Sequence, residues 1–302
     1  MAGGNARGYG WDATNVQVAD ETEVDLRHLI ESDFGSLPTD GLTEAAVIDW
    51  LHYVARRVPQ RPRAVVESTE VVAASAKYSA IELIARQLRN GGDVSPWLHD
   101  KIRKAKADAR ADMMFNDWQI LHFHLGTVFE SSTKVKRSEE LLFSYITADK
   151  AILLDVHRHG AWAMRDLLRV LARTAPLTMA RYELKGIWPG QRGYTDNGYQ
   201  KLRESGLTPM LSIDGRLNIP PGLGVTTSRH STRIVRYAQQ LRRATHELLE
   251  CVRTNTLPQN FARELYSNLA CPVRLGLLFE AGSFVFYDKN RQLPLMQMPC
   301  IE

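Results

Sequence analysis

A chain of 302 residues, 44% hydrophobic and 24% charged, can bury a substantial core in one large domain or two smaller ones. That composition excludes a disordered or fibrous protein, and no window nears the roughly 18 apolar residues of a membrane helix. The net charge of +4 is that of a mildly basic protein and neither demands nor forbids an anionic partner. Cys251, Cys271 and Cys300 are odd in number and form no CxxC pair, so neither a disulfide framework nor a thiolate zinc site is expected. The N-terminus lacks the apolar core of a signal peptide, and a cytoplasmic location is expected.

Residues 1–22 are Gly-rich and polar and are expected as a flexible leader. From Glu44 to Arg57, Ala45, Ile48, Leu51, Val54 and Ala55 recur at helical spacing behind Thr43 as N-cap. The alanine-rich run from Glu67 to Asn90 predicts one long helix stopped by Gly91-Gly92. Ser95-Pro96 opens a third helix through Met114, which carries the basic run KIRKAKADAR at residues 101–110.

The periodicity then changes. Trp118, Ile120, His122 and His124 fall on one face of a strand, and a polar loop runs to Arg137. Leu141–Ile146 and Ala151–Val156 are apolar, strand-like runs joined at Thr147–Lys150, giving a three-stranded antiparallel meander. On its last strand Asp155, His157 and His159 share a face unless a bulge intervenes. A helix follows over 160–173 with Trp162, Leu167, Leu168 and Leu171 as its buried stripe. LSIDGRLNI is a hairpin about Asp214-Gly215, Ser231–Arg253 and Asn260–Asn268 are helices, and the C-terminus forms a further meander turning at Ala281-Gly282 and Lys289-Asn290.

The expected class is therefore α+β: a helical N-terminal part, a central antiparallel β-meander, and C-terminal helices with a second small antiparallel sheet. The expected divisions are 1–22, 23–176 and 177–302.

Four of the nine histidines lie between Asp117 and Trp162, as two His-x-His pairs. The P-loop, GxGxxG, GxSxG and HExxH signatures are missing, which disfavours NTPases, dinucleotide enzymes and serine hydrolases. Three readings of the histidines stay open. His122, His124, Asp155, His157 and His159 could converge on a divalent metal such as zinc or manganese and activate water for hydrolysis. Without a metal, the same imidazoles could act as general acid and base on RNA, with Arg137 and Arg158 countering phosphate charge. Alternatively, the histidines are structural and the chain is a non-enzymatic nucleic-acid-binding or interaction protein. Arg229, Arg233 and Arg236, at the start of the helix from Ser231, then form its phosphate-facing surface.

The run RSEELLFSYITADKAILLDVHRHGAW, residues 137–162, resembles the end of the RelE/ParE superfamily of bacterial toxins. The likeness lies in Arg137, Leu141–Phe143, Asp149 and Leu153–His159. It implies a small α+β domain that cuts mRNA without a metal, with Arg137 and His157 as the carried-over residues. It also implies a protein inhibitor or antitoxin as partner. The reading taken from the sequence is a toxin- or defence-type endoribonuclease with no cofactor, acting on RNA through His122, His124, Arg137 and His157.

Overall fold

The structure, a computed structural model, describes residues 16–37, 41–98, 112–160, 165–187, 194–266 and 271–299. Its class is α+β, with ten helices and four sheets among the described residues. The chain forms two compact units, one drawn from residues 43–238 and the other from the residues before 43 and those from 239 onward. The expected division at 176/177 falls inside the first of them.

The discontinuous unit opens with β1 (Val18–Asp20) and α1 (Thr22–Phe34), so part of the segment expected as a leader is a strand. The other unit opens with α2 (Glu44–Arg56). The Thr43 hydroxyl accepts from the Ala46 N–H at 3.2 Å, satisfying one of the unpaired donors of the first turn. Ile48, Leu51 and Val54 are buried along one side of this helix.

The single helix expected over 67–90 is not formed. Residues Ala64–Glu67 are strand β2, and two helices follow, α3 (Thr69–Ser75) and α4 (Ala80–Asn90). Ser68 sets the boundary. Its hydroxyl accepts from the Val71 N–H at 3.0 Å as N-cap and donates to the Leu154 carbonyl at 2.5 Å, so the chain changes from ladder to helix at that residue. Gly91, at φ 73°, caps α4 in the left-handed conformation that a residue without Cβ adopts easily. A single 3-10 turn covers Ser95–Trp97; the basic helix expected at 101–110 lies outside the described residues.

Helix α5 (Met113–Trp118) takes in Met113 and Met114, expected as the end of the third helix, and Trp118, expected as the first residue of a strand. Asp112 caps it, accepting from the Phe115 N–H at 3.0 Å, and left-handed Gln119 ends it. Strand β3 (Ile120–His124) follows. The expected loop contains a small hairpin of β4 (Phe129–Ser131) and β5 (Lys134–Val135). Next come β6 (Glu140–Ile146) and β7 (Lys150–Arg158). The sheet order is β2-β7-β6-β3. The expected meander is its antiparallel part, and β2 adds a parallel edge beside β7.

Beyond β7 come α6 (Arg165–Thr174), α7 (Pro176–Ala180) and α8 (Asp196–Glu204). Trp162 lies outside the described residues, but Leu167, Leu168 and Leu171 are buried as expected. Strands β8 (Leu211–Ile213) and β9 (Arg216–Asn218) form the expected hairpin. Asp214 (φ 49°) and Gly215 (φ 79°) are both left-handed, as a two-residue I′ turn requires.

Helix α9 (Thr232–Arg253) carries the chain into the discontinuous unit, which continues with α10 (Gln259–Leu265) and strands β10 (Val273–Glu280), β11 (Ser283–Asp288) and β12 (Leu293–Pro299). These strands form the expected meander. Strand β1 extends it, pairing in parallel with β10 through Val18–Val273 and Asp20–Leu275. Among the described residues no helix is long and apolar enough to cross a membrane.

Candidate functional site

The four-stranded sheet of the unit at 43–238 has two apolar faces. On one, Phe123, Leu142 and Leu153 pack with Val71, Ile81, Ile84 and Leu88 of α3 and α4. On the other, Ile120, Leu141, Phe143, Tyr145 and Ile152 pack with Met114 and Trp118 of α5, the leucines of α6 and Tyr199 of α8. Side chains alternate along a strand, so Ile120 on the second face places His122 and His124 there too.

The histidine of β7 reaches that face by a different route. Tyr145 pairs with Ile152 and Ser144 with Leu153, but Phe143 pairs with Asp155, because the register shifts by one residue between Phe143 and Ser144. Leu154 is the extra residue of a β-bulge. Without it, plain alternation from Leu153 would send Asp155 and His157 to the face of α3 and α4. With it, Val156 turns to that face and Asp155 and His157 join His122 and His124. Two rows cross the sheet: His124, Leu141, His157, and beneath them His122, Phe143, Asp155.

The contacts divide the expected set into pairs. His157 Nε2 lies 2.9 Å from Asp155 Oδ2, an ion-pair distance without the alignment of a hydrogen bond. The Val156 N–H donates to the other carboxylate oxygen at 2.7 Å and fixes it. These two side chains keep 24% and 21% of their surface, although His157 Nε2 itself is covered. His124 is buried; its Nδ1 lies 3.4 Å from the Ser138 carbonyl, and its ring is 5.6 Å from that of His159, just beyond the end of β7. His122 is partly buried, its Nδ1 3.7 Å from Asp112 Oδ2. The Phe143 ring, in the lower row, lies 6.0 Å from that of His122 and 6.2 Å from that of His157.

Burial holds the pKa of His122 below its ordinary value; the nearby charge of Arg56 acts in the same sense and Asp112 opposes it. His122 is therefore neutral at pH 7, and either ring nitrogen can serve as an acceptor. Among the described residues, no three His, Cys, Asp or Glu side chains come together to hold a metal ion. The expected convergence of His122, His124, Asp155, His157 and His159 on one ion is not formed. The contacts are made pair by pair: His157 with Asp155, His124 with His159, and His122 with Asp112.

A second polar group adjoins His122 and, Arg233 apart, involves residues given no role from the sequence. Arg56 is buried, donates to His52 Nδ1 at 3.1 Å and to Asn116 Oδ1 at 3.4 Å, and lies 4.2 Å from the centre of the Phe115 ring. Arg233 approaches the same ring at 5.6 Å, and the rings of His52 and His230 are 6.0 Å apart. A signal for α2 exists in the sequence: Ile48, His52 and Arg56 occupy i, i+4 and i+8, so polar side chains continue an apolar stripe.

Asp117 plays a structural part. It is fully buried, accepts from Tyr199 OH at 2.6 Å, and lies 2.5 Å from Arg203 Nε, tying α5 to α8. Burial raises its pKa to about 6, against the pull of Arg203.

The expected arginines separate. Arg137 is exposed one residue before Ser138, at the edge of the histidine face. Arg158 follows His157 in β7 and so belongs to the opposite face, where its charge acts on Lys77; it does not stand beside His157. Arg229 and Arg236 are exposed, and among the described residues no contact joins either to the histidines. Arg233 is the one that turns inward, to Phe115. Comparison of the chain with family models, with curated proteins and with solved structures finds no match.

Proposed function

We propose that the chain cleaves phosphodiester bonds of RNA, with His157 and His124 as general acid and base and no metal in the reaction. The observation that carries this reading is the row of His124 and His157 on either side of Leu141, with Asp155 braced against His157. Across two strand spacings the Cα atoms are roughly 10 Å apart. Acting on one phosphodiester, one imidazole would take the proton of the 2′-hydroxyl and the other would supply one to the 5′-oxygen. Asp155 orients the His157 ring, as a carboxylate beside a catalytic imidazole does. Arg137, at the rim, meets the charge that builds on the phosphate oxygens. The resemblance of residues 137–162 to RelE/ParE toxins supports the same reading and its place among toxin- or defence-type ribonucleases.

The test is cleavage of a labelled single-stranded RNA by the full chain and by His157→Ala. Positioned acid–base catalysis is worth about 10² to 10⁴ in rate, so the variant should lose that much, while wild-type activity survives a chelator. Activity abolished by the chelator would replace this mechanism with a metal-dependent one. A wild type that leaves RNA intact with and without divalent ions would overturn the nuclease reading altogether.

A further inference from the structure

Strand β3 ends at His124, and the chain returns to the same place at Ser138. The Ser138 hydroxyl accepts from the Leu125 N–H at 2.7 Å, and its carbonyl is the one beside His124. Residues 126–137 between them form an arm built on the β4–β5 hairpin. Its root is fixed in three ways. Trp97, itself buried, donates its indole N–H to the Gly126 carbonyl at 3.0 Å, and the Lys136 N–H donates to the Val128 carbonyl at 2.7 Å. The two sides of the root also approach so closely that a Cβ on Gly126 would come within 1.9 Å of the Lys136 carbonyl oxygen. Val135 of the arm is buried, but two other apolar side chains of the arm face water: Val128 is 62% exposed and Phe129 50%. The Phe129 ring stands edge-on to Trp97 at 5.6 Å, which steadies it with its other side open.

The charges of the arm are one-sided. Glu130 is its only carboxylate, and Lys134 pairs with it at 3.0 Å. Lys136 and Arg137 are exposed just past β5, where the chain runs back to Ser138. An aromatic ring held open in water beside two cations suits unpaired nucleotides, whose bases stack on the ring while their phosphates meet the cations. A duplex hides its base faces in its own stack and offers only phosphates.

We propose that residues 126–137 are a binding arm for single-stranded RNA. Phe129 stacks on a base, Lys136 and Arg137 hold the backbone, and the strand is led to His124 and His157. Only the last of these points rests on the nuclease reading; the binding itself does not.

The experiment is fluorescence anisotropy of a labelled single-stranded oligoribonucleotide. It uses the full chain carrying His157→Ala so that the RNA stays intact, alone and with Phe129→Ala or Lys136→Ala added. Loss of one stacking contact should weaken binding between about fivefold and a hundredfold. Loss of one phosphate contact should flatten the slope of log K against log salt by about 0.7. A duplex of the same length should bind at least about tenfold more weakly than the single strand. Thermal melts of both variants should match the parent, because Phe129 and Lys136 are exposed.

If Phe129→Ala binds the single strand as tightly as its parent, or if the duplex binds as well as the single strand, the arm is not an RNA platform and its apolar tip serves a protein partner instead. The two proposals fail separately. Wild-type cleavage with affinity unchanged by Phe129→Ala removes the arm and keeps the catalytic site. Arm-dependent binding by a wild type that cuts nothing does the reverse.

Discussion

His122 and Asp117, five residues apart, titrate in opposite senses for the same reason. Burial disfavours the charged form of each, which lowers the pKa of the histidine and raises that of the aspartate to about 6. For His122 the unfolded chain takes up its proton first. Its contribution to stability is therefore complete above the ordinary value of 6.5 and is lost as the pH falls through the lower folded value. For Asp117 the folded chain keeps a proton that the unfolded chain releases, so its contribution is greatest in acid and declines as the pH rises toward about 6. The histidine effect is isolated by melting wild type and His122→Gln side by side from about pH 5 to about pH 8. Wild type should lose ground to the variant as the pH drops below the ordinary histidine value. A difference between the two that stays flat across the range would mean that burial does not govern His122.

The packing of elements makes its own demands, clearest where the loop after β9 meets α5. The Gly222 N–H donates to the Asp117 carbonyl at 2.9 Å, and a Cβ at residue 222 would sit 1.6 Å from the Asn116 carbonyl oxygen. That neighbour is backbone and cannot swing aside. Gly222→Ala should cost about 1–3 kcal/mol, which for a domain of this size is about 2–4 °C in melting midpoint per kcal/mol. An unchanged midpoint would show that the loop does not press on α5. The same scale shows what the sequence could and could not convey. The β6–β7 hairpin, the β8–β9 turn and the C-terminal meander were legible because strand alternation and paired turn residues are local. His122 and His124 were legible as face-sharing for that reason. The break at Ser68 was not, because it depends on a hydroxyl bonded to β7 far along the chain, and helix propensity alone favoured continuing. The places of Asp155 and His157 depend on one unpaired residue, Leu154, which carries no mark of its own. His52 and Arg56 read as ordinary members of α2 until α5 and α9 supply their neighbours.

At the scale of the molecule, the discontinuous unit closes on its N-terminal segment. Strand β1 supplies the parallel edge beside β10. Glu21 accepts from Arg274 at 2.6 and 3.0 Å and from Lys289 at 3.0 Å, contacts that hold its carboxyl down to about 2. Deleting residues 1–21 would strip these contacts from the C-terminal strands, whereas a free leader could be removed without effect. Limited proteolysis should then cut within 273–299 faster than in the full chain while the histidine-bearing sheet stays protected; equal rates would show that β1 contributes nothing to the sheet. The bulge at Leu154 has a consequence of another kind. Because the side-chain period of a strand is two, one residue gained or lost in β7 reverses the facing of everything beyond it. Asp155 and His157 are thus presented by strand length as much as by residue identity. A lineage of this fold could acquire or abolish its histidine face through a single-codon insertion or deletion, with every side chain of the site still encoded.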